Sequence, residues 1–197
     1  MIPSPNLWRW PAMYEAENKA QDADGALAQT VREVADWGDR DVLDIGCGAG
    51  FHLPMFAADA RSVLGVEPHP ALLALARRRV RNLSATTVQL GSAQSLPLSD
   101  NSVDLAHART AYFFGPGCEP GLAEVSRVLR PGGALVLVDL DASRSPYGAW
   151  MRADLPEYRS SLVEQFFAAH GFATRRVDTL WRFENRDMLR DVLGIEF

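Results

Sequence analysis

The run Val42-Leu43-Asp44-Ile45-Gly46-Cys47-Gly48-Ala49-Gly50 decides the fold. Its first half is short and apolar, as a strand buried on both faces requires, and it stops on a glycine-rich turn. Glycine tolerates positive φ and lets the backbone approach a ligand closely. A helix starting there aims its free N–H groups into the same space. An ordinary tight strand–helix turn has the same appearance, so the flanking chain must decide between them.

Working outward, buried strands are expected at 41–46, 62–67, 86–90, 102–108, 134–140 and 172–183. Helices are expected at 14–37 with Gly25 interrupting, 50–59, 70–82 with Pro70 in the first turn, 121–130, 160–170 and 185–193. Residues 1–13, rich in Pro and Trp, read as irregular. Alternation of this kind predicts an α/β fold, a mostly parallel central sheet with helices on both faces. In such sheets ligands bind outside the carboxyl ends of the strands, so the residues just after each strand matter most.

Composition narrows the classes. The chain has 197 residues, which suits one domain, and carries 20 basic against 25 acidic residues for a net charge of −5. That balance speaks against a general nucleic-acid binder. Lys19 is the only lysine, and the arginine bias with abundant Ala and Gly suggests a GC-rich, bacterial coding sequence. Cys47 and Cys118 are too few for a disulfide framework. No apolar run reaches the roughly 20 residues of a membrane span, and Met1–Trp10 lacks the apolar stretch of a signal peptide. A cytoplasmic protein with no membrane partner is the expectation.

The second strand ends in Glu67, where an acid can accept both hydroxyls of a ribose. Nicotinamide and flavin dinucleotides would use such an acid too. Their fingerprint wants a third glycine five residues after the first, and that position is Phe51. Asp44, just before the turn, would repel a pyrophosphate and attract an ammonium.

VLDIGCGAG closely resembles motif I of the class I S-adenosylmethionine-dependent methyltransferases. Gly65-Val66-Glu67-Pro68, the stretch GSAQSLPLSDNSVDLA at 91–106 and EVSRVLRPGGALVLVD at 124–139 resemble the family's later motifs in order. The resemblance covers residues 41–140. It implies a Rossmann-like class I fold, S-adenosylmethionine as cofactor with S-adenosylhomocysteine as product, and no metal. It also implies roles for individual residues. Asp44 would meet the methionine ammonium, directly or through water. Gly46, Cys47, Gly48 and Gly50 would form the loop under methionine and ribose. Glu67 would hold the ribose hydroxyls and Pro68 would pack on the adenine. Ala93 and Gln94 would contact the adenine edge, and Arg109 would lie near the sulfonium. Ser92 departs from the family's usual Asp, and its hydroxyl would serve the adenine amino group instead.

The acceptor must be chosen outside those motifs. Tyr112, Phe113 and Phe114, before a Gly/Pro loop, read either as an aromatic wall beside the methyl group or as packing under the loop. Ser145–Tyr158, with Tyr147 and Trp150, forms an insertion of the length of a lid. Tyr14 and Asn18, four apart, share a helix face near the N-terminus. His52, Arg109 and Tyr112 are the candidates for catalysis. Asp139 and Asp141 straddle the end of strand five without a metal-ligand pattern.

The sequence therefore predicts one methyltransferase domain: an N-terminal lid at 1–40, a cofactor core at 41–140, and a substrate-side insertion and C-terminal edge at 141–197. A small-molecule acceptor is expected, with no nucleic-acid partner. A catalytically silent cofactor binder, acting as sensor or scaffold, is the alternative. The residues after strand six are short for a seventh strand, so that edge is expected to be incomplete or covered by a partner in a homodimer.

Overall fold

The computed structural model describes residues 5–144 and 146–196. Met1–Ser4 of the N-terminal reading, Ser145 of the insertion and Phe197 of the C-terminal edge lie outside the described residues. Three helices lead in, α1 (Pro5–Arg9), α2 (Pro11–Ala20) and α3 (Ala26–Val34). The core follows as β1 (Asp41–Ile45), α4 (Leu53–Ala57), β2 (Ser62–Glu67), α5 (Pro70–Val80), β3 (Thr86–Leu90), β4 (Val103–Arg109), α6 (Glu119–Val128) and β5 (Leu129–Val138). Then come α7 (Tyr147–Asp154), α8 (Ser160–Ala169) and α9 (Arg186–Glu196).

The strands form one sheet in the order β3-β2-β1-β4-β5, every pair parallel. The order reverses direction at β1, so the crevice between the carboxyl ends of β1 and β4 is the switch point where ligands bind. Side-chain alternation along the strands separates two cores. Leu43 and Ile45 face α6 and α8, packing with Val125, Val128 and Phe166. Val42 faces the other side, with Val31 of α3, Phe56 of α4, and Leu73 and Ala76 of α5. Pro70 starts α5 without losing a needed donor. Gly25, at φ 74°, separates α2 from α3, the break its position in the sequence suggests.

At the amino ends of the strands, away from the switch point, a charged cluster ties four of them together. Asp41 of β1 accepts from Arg61, which precedes β2, from Ser62, and from Arg130 of β5. Asp104 of β4 pairs with the same two arginines.

Two expectations are corrected. Pro5 and Pro11 head α1 and α2, so residues 5–9 and 11–13 are helical, with Trp10 the break between them, because proline suits a first turn. The strand expected at 172–183 is absent. Burial alternates from Val177 to Glu184 as in a strand, but the backbone pairs elsewhere. Ala23 N–H donates to Leu180 O and Arg182 N–H to Ala20 O, both at 3.0 Å. The segment is thus held by the α2–α3 loop, and β5 is the sheet edge among the described residues. The insertion after β5 contains α7, and α9 follows the extended segment. No helix among the described residues is long and apolar enough to cross a membrane.

Candidate functional site

The chain leaves β1 through a turn whose key positions favour glycine. Gly46, Gly48 and Gly50 have φ of 69°, 57° and 78°. The N–H groups of Gly46 and Cys47 both reach the carbonyl of Val66 on β2, at 2.8 and 3.1 Å, which folds the turn over the neighbouring strand. Space is as tight as conformation. A Cβ on Gly46 would stand 2.7 Å from the Ala111 methyl, and one on Gly48 would stand 3.2 Å from Leu7 Cδ2 of α1. Helix α1 therefore lies on the glycine turn.

Glu67 ends β2 beside this turn and is only 4% exposed. Its Oε2 accepts the Gly48 N–H at 2.9 Å and its Oε1 accepts the His69 N–H at 2.8 Å. A carboxylate oxygen has two lone pairs, so each keeps one to offer. Burial raises the Glu67 pKa, and the two N–H groups hold it down in part. His69 in turn stacks on Trp8 of α1, with ring centroids 4.8 Å apart.

A cavity of about 410 Å³ opens over these groups. It brings together Gly46, Cys47, Gly48, Glu67 and Pro68 from the turn and β2. Ser92, Ala93 and Gln94 line it after β3, and Arg109 at the end of β4. Tyr14, His52 and Tyr112 also line it. Gly50 does not: it packs against α5, where a Cβ would stand 3.2 Å from Ala76 Cα. Asp44 lies beneath the lining, bonded through Oδ1 to His107 Nδ1 at 2.8 Å, both side chains buried.

The acceptor residues divide. Phe113 belongs to the core, 5% exposed among Ile45, Ala108 and Cys118, so packing under the loop is its role. Tyr112 lines the cavity and stands at φ 61°, its ring against Gly121 of α6. Phe114 lines it too. Tyr147 and Trp150 are not among its lining; the Tyr147 hydroxyl is 3.4 Å from Glu196 Oε2, and Trp150 is 43% exposed. Asp141 is engaged by Arg176 and Ser143. No group of three potential metal-ligating side chains occurs among the described residues.

A second hollow of about 310 Å³ adjoins the first and shares Asn18, Phe51, His52 and Arg109 with it. His52 thus stands between the two. Burial and the Arg109 charge push its pKa well below the usual imidazole value, so its ring stays neutral, with one nitrogen open as a hydrogen-bond acceptor.

The sequence reading missed a polar chain on α2. Arg109 Nη2 donates to Gln21 Oε1 at 2.6 Å, and Gln21 Nε2 donates to Glu17 Oε1 at 2.7 Å. Tyr14, Asn18 and Gln21 fall at i, i+4 and i+7, and all three line the cavity. The helical spacing that marks Tyr14 and Asn18 would have found Gln21. Nothing local marks Glu196, which reaches the cavity from α9.

Comparison with known proteins agrees with this architecture. Residues 43–137 match the methyltransferase domain family model. An uncharacterised methyltransferase of Mycobacterium bovis is 38% identical over 112 residues, 54% of this chain and 44% of that protein. A malonyl-[acyl-carrier protein] O-methyltransferase of Pectobacterium atrosepticum is 32% identical over 57% of this chain and 44% of its own length. The chain thus spans less than half the length of either. A solved S-adenosylmethionine-dependent methyltransferase from Aquifex aeolicus superposes with a TM-score of 0.65 at 21% identity, covering 86% of this chain and 93% of that one, a likeness of fold. With a parallel sheet switching at β1, a three-glycine turn and an acid closing β2, the chain has the class I S-adenosylmethionine-dependent methyltransferase fold, and its residues 43–137 belong to the methyltransferase domain family.

Proposed function

We propose that this chain binds S-adenosylmethionine in the 410 Å³ cavity and directs its methyl group to a small-molecule acceptor. Glu67 carries the reading. A carboxylate 4% exposed, with each oxygen already holding one N–H and keeping one lone pair, is built to receive a pair of vicinal hydroxyls. The glycine turn leaves room for a ligand backbone beside it, and Pro68 and Ala93 offer flat apolar contact next to Ser92 and Gln94.

The cofactor supplies the chemistry, an electrophilic methyl on a sulfonium, and the protein supplies alignment and exclusion of water. Leu7 and Trp8 cover the glycine turn and Glu67 from above. Arg109, a half-buried guanidinium whose bond is to the neutral Gln21, suits a ligand carboxylate better than the sulfonium expected from the resemblance, because like charges repel. Asp44 fixes the His107 ring and places negative charge under the cavity floor. His52, neutral and at the junction of the two hollows, is positioned to accept a hydrogen bond from an acceptor's N–H or O–H.

Titration calorimetry with S-adenosylmethionine and S-adenosylhomocysteine tests the first half. Low-micromolar binding is expected, and no heat at high micromolar ligand would refute it. Transfer of a labelled methyl group to metabolite extracts tests the second. Tight binding with no labelled product would instead mark a silent binder.

A further inference from the structure

Helices α2 and α9 bring two carboxyl groups together at the edge of the cavity. Glu196 lines it. Glu17, directly behind, is 2% exposed. Glu17 Oε1 accepts from Gln21, while its buried Oε2 has no hydrogen-bond partner among the described residues. Glu196 accepts two long contacts, from Asn6 Nδ2 at 3.3 Å and from the Tyr147 hydroxyl at 3.4 Å. The charged and titratable groups facing Glu17 are Glu196 from α9, Arg109 from β4 and Tyr14 on its own helix, with Tyr147 of α7 facing both acids.

Two acids this close in a buried place share a proton. Burial and the Glu196 charge push Glu17 up to about 8, so Glu17 keeps its proton at neutral pH. Nothing in the fold demands this. A buried acid lacking a donor costs stability that an apolar side chain would not. The cavity that Glu196 lines also presents Tyr14, Tyr112, Phe114 and Leu155, surfaces that favour a cation on an apolar body. Arg109 is occupied by Gln21 and lies on the other side of the chain of bonds from Glu196.

We propose that Glu196, backed by Glu17, recognises a protonated amine on the methyl acceptor, making small amines the substrate class. The inference rests on the methyltransferase reading and deepens it. The ammonium donates to Glu196 and to Glu17 Oε2, and the proton that Glu17 holds against Glu196 is released to solvent. A carboxylate in the same place would be repelled, and a neutral hydroxyl would gain no ion pair.

The experiment is calorimetry on the whole chain saturated with S-adenosylhomocysteine, using benzylamine, benzyl alcohol and benzoate as probes of one shape and three charges. Benzylamine is expected to bind at least tenfold more tightly than the other two and to release a proton near neutral pH, read by repeating the titration in buffers of different ionisation enthalpy. Glu196→Gln should erase the preference for the amine and leave S-adenosylhomocysteine affinity within twofold of wild type. Glu17→Gln keeps a donor facing Glu196, so it is a second variant expected to fold, and it should abolish the proton release. If S-adenosylhomocysteine itself fails to bind, the parent reading falls. If it binds but benzylamine does not, or binds no better than the alcohol, the assignment of the acid pair is overturned. Proton release unchanged in Glu17→Gln overturns it as well.

Discussion

Glu67 Oε2 accepts the Gly48 N–H at 2.9 Å, so the acid that closes β2 also braces the glycine turn that leaves β1. Glu67→Gln should disturb both. An amide must turn its NH2 toward either the Gly48 or the His69 N–H, setting donor against donor. S-Adenosylhomocysteine affinity should fall more than tenfold, about 1.4 kcal/mol or more. Calorimetry giving an unchanged affinity would refute the ribose role. Because burial raises the Glu67 pKa and binding needs the carboxylate, affinity should weaken with acidification sooner than for an ordinary glutamate.

Gly46→Ala meets two obstacles, a φ of 69° and an Ala111 methyl 2.7 Å away. A loss of about 1–3 kcal/mol is expected from left-handed strain and overpacking together. The double variant Gly46→Ala/Ala111→Gly should recover the packing part and not the backbone part. Chemical denaturation of wild type and the two variants separates the two; full recovery would mean that φ is unimportant there.

Glu17 gives the fold an unusual pH dependence. Its pKa rises from 4.5 to about 8 on folding, so between those values the folded chain keeps a proton the unfolded chain has released. Stability from this group is complete below the unfolded pKa and is lost as pH rises through the folded one. Glu17→Gln removes the dependence and should be about 2 kcal/mol more stable than wild type near pH 9, the gap closing near pH 5. Melting temperatures across that range would show it; a gap independent of pH would contradict the buried acid.

Asp41 should show the opposite slope. Hydrogen bonds from Arg61, then from Ser62 and Arg130, hold its carboxyl far below the ordinary range. Its contribution is present above the unfolded pKa and lost as pH falls through the depressed folded one. Asp41→Asn should cost about 2 kcal/mol at neutral pH, discounted because Arg61 is half exposed, with the difference vanishing in strong acid. Cofactor affinity should not change, since the cluster sits at the far end of the strands.

The cofactor half of the site was legible because local constraints write it into adjacent residues. A glycine at each positive φ and an acid at the end of a buried strand are short-range signals, and Gly46, Gly48 and Glu67 carry them. The five core strands were legible for the same reason, as brief apolar runs bounded by turns. Phe113 and Phe114 share a composition and a loop, and only the direction each side chain takes divides core from cavity. Residues 172–183 have the period of a strand, but pairing is decided by the partner, and Ala20 and Ala23 supply it from far along the chain. Glu17 and Glu196 were invisible because neither is unusual until α9 folds back against α2.

The seat of α1 on the glycine turn bears on ligand exchange. A nucleoside-sized ligand reaching Glu67 meets Leu7 over Gly48 and the Trp8–His69 stack, so α1 stands at the edge of its seat. If the proposed function holds and exchange requires α1 to lift, product retained through purification would lower the measured rate.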